Sequence, residues 1–99
     1  MDIKQIVREE VEKYAAGGKG EGLRLFPVLD DERAVYTVNA VSYPDRTDYD
    51  GVVVMARLMD DYIVIEVDHT NKPLINALQN RGLSSEQIIL AYQGDKVPE

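Results

Sequence analysis

The sequence predicts an α+β domain: a mainly antiparallel sheet, element order α-β-β-β-β-α-β, with two helices packed on one face. Three observations carry this. Residues 2–16 place apolar side chains at helical spacing. Residues 23–68 divide into four β-rich segments, three of their links being short polar turns or loops. Residues 73–92 add one more helix and one more apolar run.

In the first helix, Ile3, Ile6, Val7, Val11, Tyr14 and Ala15 share one face, and Glu9, Glu10, Glu12 and Lys13 take the wet side. Asp2 stands where an N-cap or first-turn acid belongs. Gly17 and Gly18 stop the helix and open a glycine-rich link, 17–22. A phosphate-binding loop would need Gly-Lys-Ser/Thr between a strand and a helix, and here the order is reversed.

The first strand, from Leu23, contains Pro27, which lacks an amide proton and assigns the strand to a sheet edge or a bulge. Asp30, Asp31 and Glu32 form a turn. In strand 33–42, Tyr36, Val38 and Ala40 face one way, and Val35, Thr37, Asn39 and Val41 the other. A polar loop, 43–51, precedes strand 52–59; Asp60 and Asp61 give a tight hairpin turn into strand 62–68. There Ile63, Ile65 and Val67 oppose Tyr62, Val64, Glu66 and Asp68. Helix 73–81 has Pro73 at its first position, Thr70 or Asn71 as cap, and Gly82 as stop. Ser84 and Gln87 have capping-box spacing. Residues 88–92 read as the last strand, able to pair parallel to an earlier one, and the tail from Gln93 is polar. Apolar residues on both faces of 52–55 leave one face for the helices and the other for a second subunit.

The chain of 99 residues has the size of one domain, 1–99, with 44% hydrophobic and 29% charged residues. Eighteen acidic residues against 11 basic ones give a net charge of -7. Residues 1–50 carry 7 basic and 11 acidic groups, and 51–99 carry 4 and 7, so no basic module stands apart. Strong direct duplex DNA binding, which rests on Lys and Arg, is not expected. An acidic surface instead suits a basic protein partner. The absence of cysteine excludes disulfides, thiolate nucleophiles and zinc–thiolate sites. The charged N-terminus and a longest aliphatic run of Val52 to Ala56, far below the ~20 residues of a membrane span, give a cytoplasmic reading without membrane attachment.

No catalytic constellation emerges, and no cofactor or metal is expected. His69 neighbours Asp68, but adjacent strand residues point to opposite faces. Asp45, Asp48 and Asp50 mimic a calcium loop, yet Arg46 and Arg57 occupy ligand positions. Asp30, Asp31, Glu66 and Asp68 are the remaining candidates for a metal-dependent hydrolase, and the lysine such a nuclease wants is replaced by Asp68. Ser84 and Ser85 lack a nucleophile elbow. Arg24, Arg33 and Arg57 lie on or beside strands, where an anion pocket would form if they converged. Tyrosine combines an apolar body with a polar tip, which makes Tyr36, Tyr43, Tyr62 and Tyr92 the candidate partner interface.

Several segments in order resemble the XisI family of fdxN-element excision controlling factors. These are the first helix ending in Tyr14; the stretch 23–43 with Leu25, Phe26, Asp30 or Asp31, Arg33, Tyr36 and Tyr43; and above all 62–93. Tyr43 stands where the family usually has tryptophan, and Gln93 and Gly94 replace a usual proline pair. The resemblance implies a non-enzymatic accessory factor for programmed DNA element excision, acting with an XisH-like protein alongside a recombinase. It also allows the binding half of a toxin–antitoxin-like pair; the second apolar face of the sheet, separately, allows a homo-oligomer. A small-molecule or anion-sensing module built on Arg24, Arg33 or Arg57 is the alternative function.

Overall fold

The computed structural model describes residues 2–16, 23–42 and 50–98. Helix α1 spans Ile3–Glu12, strand β1 Leu23–Asp30, β2 Val35–Ser42, β3 Gly51–Met59 and β4 Tyr62–Asp68; α2 spans Leu74–Asn80 and β5 Ile88–Leu90. Short 3-10 turns occupy Ser85–Gln87 and Ala91–Gln93. The sheet order is β1-β2-β3-β4-β5, an antiparallel meander closed by a parallel β4–β5 pair. Element order and sheet type are those the sequence predicts.

Asp2 caps α1 by accepting a hydrogen bond from the Lys4 amide. The α-helix ends at Glu12, earlier than the spacing predicts. Residues 13–16 continue as a tighter coil, in which Tyr14, Ala15 and Ala16 donate to carbonyls three residues back. The Tyr14 hydroxyl donates to the Lys72 carbonyl and so ties this coil to the start of α2. Ile6, Val7 and Val11 meet Leu74 and Leu78 of α2 over Tyr36, Val38, Val54, Ala56, Ile63, Ile65 and Ile88 of the sheet. That cluster is the core, and all of it lies on one side of the sheet.

Strand β1 is an edge strand, which accommodates the missing amide proton of Pro27; its register with β2 runs unbroken from Leu23 to Asp30. The β2 residues Tyr36, Val38, Ala40 and Ser42 are buried, alternating with half-exposed neighbours. Two bulges interrupt the register. Val38 pairs with Val54 but Asn39 with Val52, leaving Val53 extra in β3. Ala56 pairs with Ile65 but Met55 with Val67, leaving Glu66 extra in β4.

The second bulge corrects the predicted face assignment. Val67 joins the outer face with Met55, and Asp68 turns to the helix side opposite Val54. From there Asp68 Oδ2 accepts the Leu74 amide at 2.8 Å, and Oδ1 accepts from the Thr70 amide and hydroxyl. Asp68, rather than Thr70 or Asn71, therefore receives the first amide of α2, and Pro73 stands just before the helix instead of at its first position. The far end of α2 closes as predicted on Gly82, at φ 95, with Leu83 N–H on Leu78 O and Gly82 N–H on Gln79 O. The Ser84–Gln87 capping box forms. Strand β5 stops at Leu90 rather than Tyr92, because the Leu90 amide donates to Asp95 Oδ2 and the chain coils into 91–93.

Candidate functional site

The three candidate tyrosines among the described residues, Tyr36, Tyr62 and Tyr92, do not form one surface. Tyr36 is fully buried, and its hydroxyl donates to Asp31 Oδ1 at 2.9 Å. Burial, reinforced by the Asp31 carboxylate, pushes that hydroxyl far above the usual tyrosine range. Its position leaves it to the core, out of a partner's reach. Tyr92 sits half-buried in the 91–93 turn against the core, with its hydroxyl also pushed up by burial and by nearby Asp68. Tyr62 stands exposed at 40%, beside the hairpin turn. Tyr43 lies outside the described residues.

The arginines proposed for an anion pocket do not converge as free cations. Arg57 Nε holds Glu66 at 2.7 Å across the β3–β4 pair, and Arg33 holds Asp30 at 3.1 Å within its own turn. Arg24 lies on the edge strand, in register with Val41. The carboxylates proposed for a metal are likewise occupied. Asp30 accepts the Arg33 amide and guanidinium, which hold its carboxyl below the usual range. Asp31 receives Arg8 and Tyr36. The bulge at Glu66 separates Glu66 and Asp68 onto opposite faces. Among the described residues no three His, Cys, Asp or Glu side chains are grouped to hold a metal. His69 is an exposed loop residue whose amide donates to Val53 O. Asp50 Oδ1 accepts the Ser42 amide; Asp45, Asp48 and the 17–22 glycine segment lie outside the described residues.

Sequence reasoning missed the role of Glu10. Placed on the wet side by periodicity, it is 5% exposed. Arg81 Nη1 reaches its Oε2 at 2.6 Å and Lys13 Nζ at 2.9 Å, while Arg81 Nη2 takes Glu9 at 2.9 Å. Burial alone would push the Glu10 carboxyl up; the hydrogen bonds from Lys13 and Arg81 outweigh it and hold the group below the usual range. The sequence carried no signal for this pair, since its members are 71 positions apart. Beside it, α1 and α2 border a cleft of about 580 Å³ lined by Glu10, Lys13, Tyr14, Lys72, Asn76 and Asn80, among others.

Two surface features remain. The meander brings the 31–34 and 60–61 turns to one end of the sheet, and the parallel β5 begins at that same end with Ile88 beside Ile63. Glu32, Asp60, Asp61 and Glu86 are therefore gathered there as exposed acids, none of them in an ion pair within the described residues. The second feature is the outer face of the sheet, where Phe26 and Val28 are 50% and 53% exposed.

An acidic, bulged meander sheet carrying two helices on one face defines the class of this protein. The family model described as XisI protein matches residues 1–99, and the chain belongs to the XisI family. Two solved structures share the fold. A XisI-like protein from Anabaena variabilis is 21% identical, with a TM-score of 0.82 over 92% of this chain and 84% of its own. The fdxN element excision controlling factor XisI from Anabaena variabilis is 18% identical, with a TM-score of 0.74 over 90% and 88%. No curated protein matches the chain. No helix among the described residues is long and apolar enough to cross a membrane.

Proposed function

We propose that this chain is a non-enzymatic accessory factor that binds an XisH-like protein and controls its action in programmed DNA element excision. The family membership supports the process, and one observation carries the mode of action: the exposed acids Glu32, Asp60, Asp61 and Glu86 stand together at one end of the sheet, with exposed Tyr62 among them. Such an end draws a basic partner by complementary charge, and an aromatic with a polar tip supplies contact area at its centre. The carboxylates and arginines that chemistry would need are tied to one another as structural pairs. Co-expression with the XisH-like protein encoded nearest to this chain, followed by size exclusion, tests the reading. Co-elution in fixed stoichiometry, weakened at least tenfold in affinity by the Asp60→Lys, Asp61→Lys pair, is the expected result. Separate elution of two folded proteins would overturn it, and so would a tight, salt-resistant complex of the isolated chain with duplex DNA.

A second reading, a small-molecule or anion-binding module, draws support from the α1–α2 cleft rather than from the paired arginines. Its volume of about 580 Å³ lies in the range of ligand pockets, and Lys13, Lys72, Asn76 and Asn80 offer donors along its walls. A thermal-shift screen with nucleotides and anionic metabolites tests it; a flat response across the screen would remove it.

A further inference from the structure

We infer that the open face of the sheet is where two copies of this chain meet. The core residues of the sheet, Tyr36, Val38, Val54, Ala56 and Ile65 among them, all lie on the helix side, and the described helices pack only there. The other side presents Phe26, Val28, Val35, Val41, Val52 and Met55, placed on one face by the β1–β2–β3 register. Phe26 and Val28, half exposed or more, are among the most exposed large apolar side chains described. At the β4–β5 end the face is already closed, with Val64 fully buried and Ile89 8% exposed.

Charge and area both choose the occupant. Against a net charge of -7 for the whole chain, this face is nearly neutral: Arg57 pairs with Glu66 and Arg33 with Asp30, and the register adds Arg24. It asks for no opposite charge, so a basic partner has no electrostatic reason to choose it. An identical face matches it by apolar burial and holds the acidic ends of the two copies off the contact. The three strands that carry the open face, about 4.8 Å apart with residues rising about 3.4 Å, give a face on the order of 400 Å² in projection. Side-chain relief raises the accessible area toward the ~800 Å² per partner of a standard interface. Association through the sheet edge is disfavoured by Pro27, which interrupts the donors of β1. The contact is therefore isologous and face to face, with strands of the two sheets crossing at about 30°.

Sedimentation velocity and light scattering of the full chain at micromolar concentration test this. The expected mass is twice the 11.1 kDa of one chain, falling to a single chain in Phe26→Glu and in Val28→Lys with far-UV circular dichroism retained. Asp60→Lys, at the acidic end, should leave the dimer intact, so that loss of an XisH-like partner and loss of the dimer are read separately. If one sheet variant fails to fold, the other decides. The wild-type chain supplies an independent readout: on dilution, amide exchange should quicken in β1 and β3 before α1. A wild-type mass of one chain, a mass above two, dimers persisting in both folded variants, or exchange that quickens first in α1 would each overturn the inference.

Discussion

Arg81, just past α2, places its Nη1 2.6 Å from Glu10 Oε2 in α1, and this pair clasps the two helices over the core. Glu10 is nearly buried, so removing Arg81 leaves its carboxylate with Lys13 alone, and removing Glu10 leaves Arg81 with Glu9 alone. Glu10→Ala should cost about 2 kcal/mol. That corresponds to a fall of roughly 10 °C in melting temperature for a domain of this size. A double-mutant cycle with Arg81→Ala, read by urea unfolding, should show clear coupling.

Acid should act through the same pair. The carboxyls of Glu9 and Glu10, of ordinary value 4.5, and of Asp30, of ordinary value 3.8, are all lowered in the folded chain. Groups lowered on folding contribute stability that is complete above their unfolded values and is lost as pH falls through the folded ones. Melting temperature should therefore hold from pH ~7 to ~5 and drop below it. Glu10→Gln should flatten that acid limb in a pH series of thermal melts.

Tyr36 gives the alkaline limb. Its hydroxyl is raised above the ordinary 10.0, so its contribution is complete below that value and declines as pH rises through it. Tyr36→Phe removes one hydrogen bond to Asp31 and keeps the ring, which should cost about 1 kcal/mol in chemical denaturation. Because Tyr36 is enclosed, capture of a partner protein by the folded Phe variant should be unchanged.

Asp68 holds the entry to α2 through the Leu74 and Thr70 amides. Asp68→Ala should cost about 2 kcal/mol, the scale of hydrogen bonds to a charged group. Amide exchange should quicken first in α2, with β1 and β2 unaffected.

Much of the fold was legible in the sequence because it is written in local periodicity and in residues with fixed backbone habits. The 3.6-residue spacing of Ile3, Ile6, Val7 and Val11 marked α1, the alternation in 35–42 marked the buried face of β2, and Pro27 marked an edge. Gly82 marked the end of α2 and Ser84 with Gln87 the following cap. The bulge at Glu66 left no such mark, and it alone turned Asp68 from an outward carboxylate into the cap of α2.

By itself the sequence determined the element order, the acidic balance and the family pattern, since each depends on neighbours in the chain or on composition alone. Tertiary structure decided which polar groups remain available. It paired Arg57 with Glu66 and Arg81 with Glu10, enclosed Tyr36, and left Tyr62 and the turn acids at the surface. The reason is physical: a side chain's charge partner and its exposure are set by what the sheet register and helix packing bring alongside it, across as many as 72 positions of chain.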